Sequence, residues 1–230
     1  MQVDQPLLGR SAPLSPQRGS DTEQAIVIIV DDQASVREAL SELMLSAGFQ
    51  PVCFASTREL LGADIVDSPG CMILDVRMPG ASGLDLQQHL AQNGNTKPII
   101  FLTGHGDIPM TVQAMKAGAV DFLTKPVRDQ TLLDAVAAGV ALDAAQRAKA
   151  RVTRLHLDRY RTLTPRERQV MCAVALGRLN KQIAYDLDIS EVTVKLHRSN
   201  VMRKMQLTSV GELVRAWEAL PAELRERGAA

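Results

Sequence analysis

Five short apolar runs recur between residues 25 and 124, each followed by a stretch of helical periodicity, and that alternation leaves few folds open. The runs cover 25–30, 50–54, 70–75, 98–103 and 120–124, and helix patterns fill 34–47, 56–62, 83–92, 108–117 and 129–147. Strands alternating with helices over short connections predict a doubly wound α/β fold, a five-stranded parallel sheet with helices on both faces. Gly48, Gly94 and Gly118 stand where three of the helices should stop, as left-handed caps do.

In such a sheet the carboxyl ends of the strands form the ligand crevice. The first run, Ala25–Val30, ends on Asp31-Asp32. The run Cys71–Leu74 ends on Asp75, the run Ile99–Leu102 ends on Thr103, and Lys125 follows the last. Each alone reads as an ordinary turn, strand or surface residue. Together they bring three carboxylates, a hydroxyl and an ammonium to one edge. Carboxylates grouped without a cation repel one another. An all-oxygen set of this kind suits Mg²⁺, which keeps several waters. Lys125 can then meet an incoming phosphoryl group as a point charge, and Thr103 can donate to it, with Phe122 free to turn inward behind.

The formal net charge of zero hides a division. Residues 1–150 carry 11 Lys+Arg against 17 Asp+Glu, a net of −6, whereas 151–230 carry 15 against 9, a net of +6. An acidic domain joined to a basic one is expected, the basic one facing a polyanion. Its punctuation is clear. Thr164 with Glu167 forms a capping box with Pro165 at the first helical position. Asn180, Ser190 and Thr208 are placed to cap three further helices, the first two being 181–187 and 191–205. Short helices with a tight Asp188-Ile189-Ser190 turn fit a helix-turn-helix.

With these residues in place the chain resembles a two-component response regulator of the FixJ/NarL type, a flavodoxin-like receiver followed by a small all-α LuxR-type helix-turn-helix. The resemblance covers about 24–220 and rests on Val30-Asp31-Asp32, Asp75-Val76-Arg77-Met78-Pro79-Gly80, Ser82-Gly83-Leu84, Thr103-Gly104-His105-Gly106-Asp107, Lys116-Ala117-Gly118-Ala119 and Asp121-Phe122-Leu123-Thr124-Lys125-Pro126. It implies that Asp75 takes phosphate from a sensor histidine kinase, that Asp32, Asp75 and the Arg77 carbonyl bind Mg²⁺, and that Asp31 acts on the ion mainly through water. It makes Thr103 and Phe122 a switch pair and Lys125 the phosphate sensor, before a cis bond to Pro126. It implies a homodimer on phosphorylation through about 108–124, DNA as target, and RNA polymerase as a further partner. The domains expected are a disordered extension or vector-derived leader at 1–23, a receiver at 24–142, a helical linker at 143–162, the DNA-binding part at 163–222 and a tail at 223–230.

The recognition helix can be read from its own geometry. At about 100° per residue, Val194, Val201 and Met205 share the core side, leaving Val192, Lys195, Leu196, Ser199, Asn200 and Arg203 opposite. In a major groove Val192 and Leu196 can touch thymine methyls while Lys195 reaches guanine. Arg198, Arg203, Lys204 and Lys181 are expected on phosphates. Thr193 and His197 complete the set.

Other classes fit less well. A haloacid-dehalogenase-type phosphohydrolase needs an acid two residues after its nucleophile, where Arg77 stands, so no enzyme turnover is expected. A flavin-binding flavodoxin would need a Ser/Thr/Gly phosphate loop after the first strand. A degenerate receiver that works without phosphate is the mildest alternative. Cys53, Cys71 and Cys172 lack metal-ligand spacing and read as reduced thiols. No apolar run approaches the roughly 20 residues that cross a bilayer, so a cytoplasmic protein without membrane contact is expected.

Overall fold

The computed structural model describes residues 24–104 and 106–229. The expected extension at 1–23 lies outside them, as does His105. The described residues divide into two compact units, one ending at Gly139 and the other beginning at Val140.

The first unit is a five-stranded parallel sheet in the order β2-β1-β3-β4-β5. Its strands are β1 (Ile26–Val30), β2 (Gln50–Phe54), β3 (Gly70–Leu74), β4 (Ile99–Thr103) and β5 (Asp121–Thr124). Between them run α1 (Ala34–Ser46), α2 (Thr57–Leu61), α3 (Gly83–Gln92) and α4 (Ile108–Lys116), and α5 (Asp129–Arg161) follows β5. The strands β3 and β4 are buried throughout, so they read as unbroken apolar runs rather than alternating ones.

Alternate residues of these strands supply two cores. One face carries Ile28, Val30, Met72, Leu74, Ile99 and Phe101 against Leu60, Leu86, Leu90 and Ala114. Residues of opposite parity, among them Val27, Ile29, Cys71, Ile73, Ile100 and Leu102, are buried on the other. Cys71 there sends its thiol toward the Val136 carbonyl of α5. Each fully buried aliphatic side chain contributes about 1.5–3 kcal/mol.

Register places the site. Val30 pairs with both Phe54 and Leu74, so Asp31 and Asp75 emerge side by side, one residue past paired positions. The Asp75 N–H donates to the Val30 carbonyl at 2.9 Å, and the Lys125 N–H to the Thr103 carbonyl at 2.8 Å.

The second unit packs α6 (Pro165–Ala175), α7 (Asn180–Asp186), α8 (Glu191–Met205), α9 (Val210–Glu218) and α10 (Ala222–Ala229). Val170, Met171, Ile183, Val194, Val201, Met205, Leu213 and Trp217 form its core, with Tyr160 and Leu163 from the chain before α6. The expected tail at 223–230 is therefore mostly helix, and Leu224 packs on this core.

Two caps differ from expectation. Asn180 is the first helical residue of α7 with Leu179 at the cap position, and its side-chain carbonyl accepts from Arg198 Nη1 at 2.7 Å. Ser209, not Thr208, caps α9 by accepting from the Glu212 N–H, while Thr208 donates to the Glu212 carboxylate. The capping box of Thr164 and Glu167 is formed.

Candidate phosphoryl-acceptor site and nucleic-acid interface

Asp31 and Asp75 are held in matching ways. Each Oδ1 accepts from the backbone N–H two residues on, from Gln33 at 2.9 Å and from Arg77 at 3.1 Å. Each Oδ2 then faces Lys125 Nζ, at 2.5 Å for Asp31 and 3.0 Å for Asp75. Both aspartates are buried, whereas Asp32 is exposed. Carboxylate oxygens of all three lie within 4.8 Å of one another. Burial pulls the Lys125 ammonium's pKa down, but its hydrogen bonds and charge contacts with Asp31 and Asp75 outweigh that, and the net is a pKa above the ordinary lysine value. The lysine stays charged at neutral pH.

One ammonium leaves three carboxylates with an uncompensated double negative charge. Oxygen-only donors with that deficit match a hard divalent cation, and the pocket of Asp31, Asp32 and Asp75 is compatible with Mg²⁺. The Arg77 carbonyl sits in the turn closed by its N–H on Asp75, and its side chain is exposed. Two features escaped the sequence reading. Arg37 Nη1 donates to the Asp31 backbone carbonyl at 2.7 Å, which anchors the acidic turn from α1. A Cβ on Gly83 would stand 2.2 Å from the Asp75 carbonyl oxygen, so only glycine fits there. The Ser-Gly pair at 82–83 was the available signal.

Thr103 ends β4 with 1% exposure. The Phe122 ring is partly buried, 5.8 Å from the Phe101 ring and tilted to it by 38°. The Lys125–Pro126 peptide bond is cis.

In the second unit, α8 presents Val192 at 76% and Leu196 at 60% exposure, with Lys195, Ser199 and Arg203 also exposed. Thr193, His197, Arg198 and Asn200 are half-buried. Thr193 is tied to the Ser190 cap, its hydroxyl 2.8 Å from that of Ser190, and Arg198 to Asn180. Lys181 is exposed on α7, and Tyr185, one turn further, is 88% exposed. A lone aromatic on a polar helix face was its sequence signal.

Lys204, expected on phosphate, has a partner within its own domain. Its ammonium lies 2.6 Å from the Glu167 carboxylate, whose side chain is 4% exposed. Burial tends to raise the Glu167 pKa, but hydrogen bonds from Lys204 and Thr164, with the Lys204 charge, hold it below the usual range. A buried carboxylate needs that partner.

Comparisons with known proteins agree with this geometry. Residues 27–137 match the response regulator receiver domain, and 161–217 match the bacterial regulatory proteins of the luxR family. Nodulation protein W of Bradyrhizobium diazoefficiens is 49% identical over 206 residues, 88% of this chain and 91% of that one. The response regulator TodT of Pseudomonas putida is 50% identical over 87% of this chain and 88% of its own. Among solved structures, the response regulator StyR superposes with a TM-score of 0.75 at 45% identity, covering 85% of this chain and 98% of StyR. Full-length FixJ from B. japonicum gives 0.52 at 39% identity, over 85% and 96%. No described helix is long and apolar enough to cross a membrane. The chain belongs to the two-component response regulators that join a receiver domain to a LuxR-type DNA-binding domain.

Proposed function

We propose that Asp75 is the phosphoryl acceptor of this regulator, that a sensor histidine kinase is its donor, and that the resulting acyl phosphate controls dimerisation and DNA binding. The observation that carries the reading is the position of Asp75: buried on the central strand β3, beside Asp31 and within reach of Lys125 Nζ. In the transfer, the phosphorus–nitrogen bond to the kinase histidine breaks and a bond from an Asp75 oxygen to phosphorus forms. Mg²⁺, held by Asp31, Asp32, Asp75 and the Arg77 carbonyl, would neutralise charge on the phosphoryl oxygens.

The chain's own residues do the rest. Esterified Asp75 loses its charge, so Lys125 exchanges that contact for a phosphate oxygen. The Thr103 hydroxyl donates to another, and the Phe122 ring follows it inward. The surface near α4 and β5 then repacks, where Ile108, Val112 and Met115 are exposed at 81%, 44% and 43%. Pairing there brings two recognition helices to a two-fold site and raises avidity on the order of 10²–10⁴-fold. Contact with RNA polymerase belongs to the same proposal.

Incubation with labelled acetyl phosphate tests the acceptor. The wild-type chain should gain acid-stable, base-labile label only with Mg²⁺, and Asp75→Asn should gain none. Equal labelling of the two would remove Asp75 from the mechanism.

The proposed contacts on DNA are Val192, Thr193, Lys195, Leu196, His197, Ser199 and Asn200, with Lys181, Arg198 and Arg203 holding the backbone. Leu196→Ser should weaken binding to a duplex selected by the wild-type chain about fivefold, a loss of about 1 kcal/mol. Because Leu196 is largely exposed, thermal unfolding should move within about 0.5 kcal/mol. Unchanged affinity would take Leu196 out of the groove.

A further inference from the structure

We infer that Arg159, in the last turn of α5, is a positioning residue that fixes the C-terminal end of the recognition helix α8. The inference rests on the DNA-binding reading above, and Arg159 lies before the matched luxR-family segment, which begins at 161.

The final carbonyls of a helix lack partners within it. Arg159 Nη1 donates to one of them, that of Met205, at 3.0 Å. Its Nη2 donates to the side-chain carbonyl of Gln206. Gln206 ends α8 with φ 55° and ψ 49°, the left-handed conformation usually given to glycine at this place. A guanidinium therefore holds both the last carbonyl and the residue in the unfavourable conformation, and its charge suits the negative end of the helix dipole.

The base from which Arg159 reaches is itself rigid. The neighbouring Tyr160 is 3% exposed and meets the Trp217 ring edge-on at 6.2 Å. Arg168 lies over the Tyr160 ring at 5.2 Å and donates to the Arg161 carbonyl at 3.1 Å. The end of α5 is thus built into the domain's core, and one side chain carries its position to α8. Base contacts by Lys195 and Leu196 depend on where α8 lies in the groove. Phosphate contacts, being sequence-independent, depend on it less.

Hydrogen–deuterium exchange and DNA binding, both on the full chain, test the assignment. Arg159→Ala should speed amide exchange in the last turn of α8 about tenfold, leaving α6 unchanged. Gln206→Gly in that background should restore part of the protection, because glycine takes the left-handed conformation freely. On DNA, Arg159→Ala should lose about tenfold on a duplex enriched by the wild-type chain from a random pool. Its affinity for a scrambled duplex and its salt slope should stay unchanged, and Arg159→Lys should recover part of the loss. Unchanged exchange in the last turn overturns the clamp. Equal losses on both duplexes with a shallower salt slope also overturn it, making Arg159 a phosphate contact. Should the wild-type chain enrich no duplex, the DNA reading fails, and the exchange result still decides the clamp.

Discussion

Replacing Gly83 by alanine is expected to slow phosphoryl uptake at Asp75 about a hundredfold and to lower stability by about 3 kcal/mol. Helix propensity alone predicts the opposite sign, since alanine in place of a helical glycine gains up to about 1 kcal/mol. Contact geometry decides against propensity. The added Cβ would lie 2.2 Å from the Asp75 carbonyl oxygen and 2.9 Å from Leu74 Cγ. Neither can yield easily. Leu74 is paired with Val30 on one side and with Phe101 on the other, so β3 is fixed at the middle of the sheet.

The helix must therefore retreat instead. Its start is held by the Gly83 N–H on the Val76 carbonyl at 3.0 Å and by the capping box of Ser82 and Asp85. Moving it pulls the turn that carries Val76 and Arg77, and with it the N–H that orients Asp75. Displacements near 1 Å at a reacting atom cost on the order of a hundredfold in rate. Acetyl phosphate labelling and chemical denaturation measure the two effects separately. A Gly83→Ala chain with wild-type rate and stability would show that the close approach constrains nothing.

How much of this was legible in the sequence follows from the range of the interactions concerned. The five strands and the placing of Asp31, Asp32, Asp75, Thr103 and Lys125 were readable, because a buried parallel strand is a continuous apolar run and its end is marked by the first polar residue. Residues that meet across 94 positions, as Lys125 and Asp31 do, were reached only through the sheet's general rule about strand ends.

Contacts without such a rule stayed hidden. Arg37 is an ordinary helix residue in sequence, and its bond to the Asp31 carbonyl depends on how α1 leaves β1. Capping was misplaced by one residue at Asn180 and Thr208, whose side chains pair with Arg198 in one case and Glu212 in the other. The helix expected at 129–147 and the helical linker expected at 143–162 form one element, α5. It continues to Arg161, and Tyr160 in its last turn packs into the core of the second unit.

Lys204 has a partner inside the domain that the sequence did not show, and its replacement carries the second large expectation. On a basic helix it reads as one more phosphate contact. In the folded chain it is the counter-charge of Glu167, 37 positions away. Lys204→Met should therefore cost about 3 kcal/mol at neutral pH, at the low end for breaking a buried pair because the lysine keeps 26% exposure. A lost phosphate contact would instead leave stability unchanged and reduce the salt slope of DNA binding by about one.

The pH dependence separates these outcomes further. Glu167 has a folded pKa below its unfolded value, so its contribution is fully present above the ordinary glutamate value of about 4.3. It is lost as pH falls through the lower, folded value. Lys204→Met removes the hydrogen bond and the charge that oppose burial, so less of that depression remains. The stability gap between wild type and variant should be widest at neutral pH and narrow on acidification as the carboxyl protonates. Denaturant titrations at a series of pH values measure the gap directly. A gap that is absent at pH 7, or that widens on acidification, would return Lys204 to the DNA-facing surface and leave Glu167 without a counter-charge.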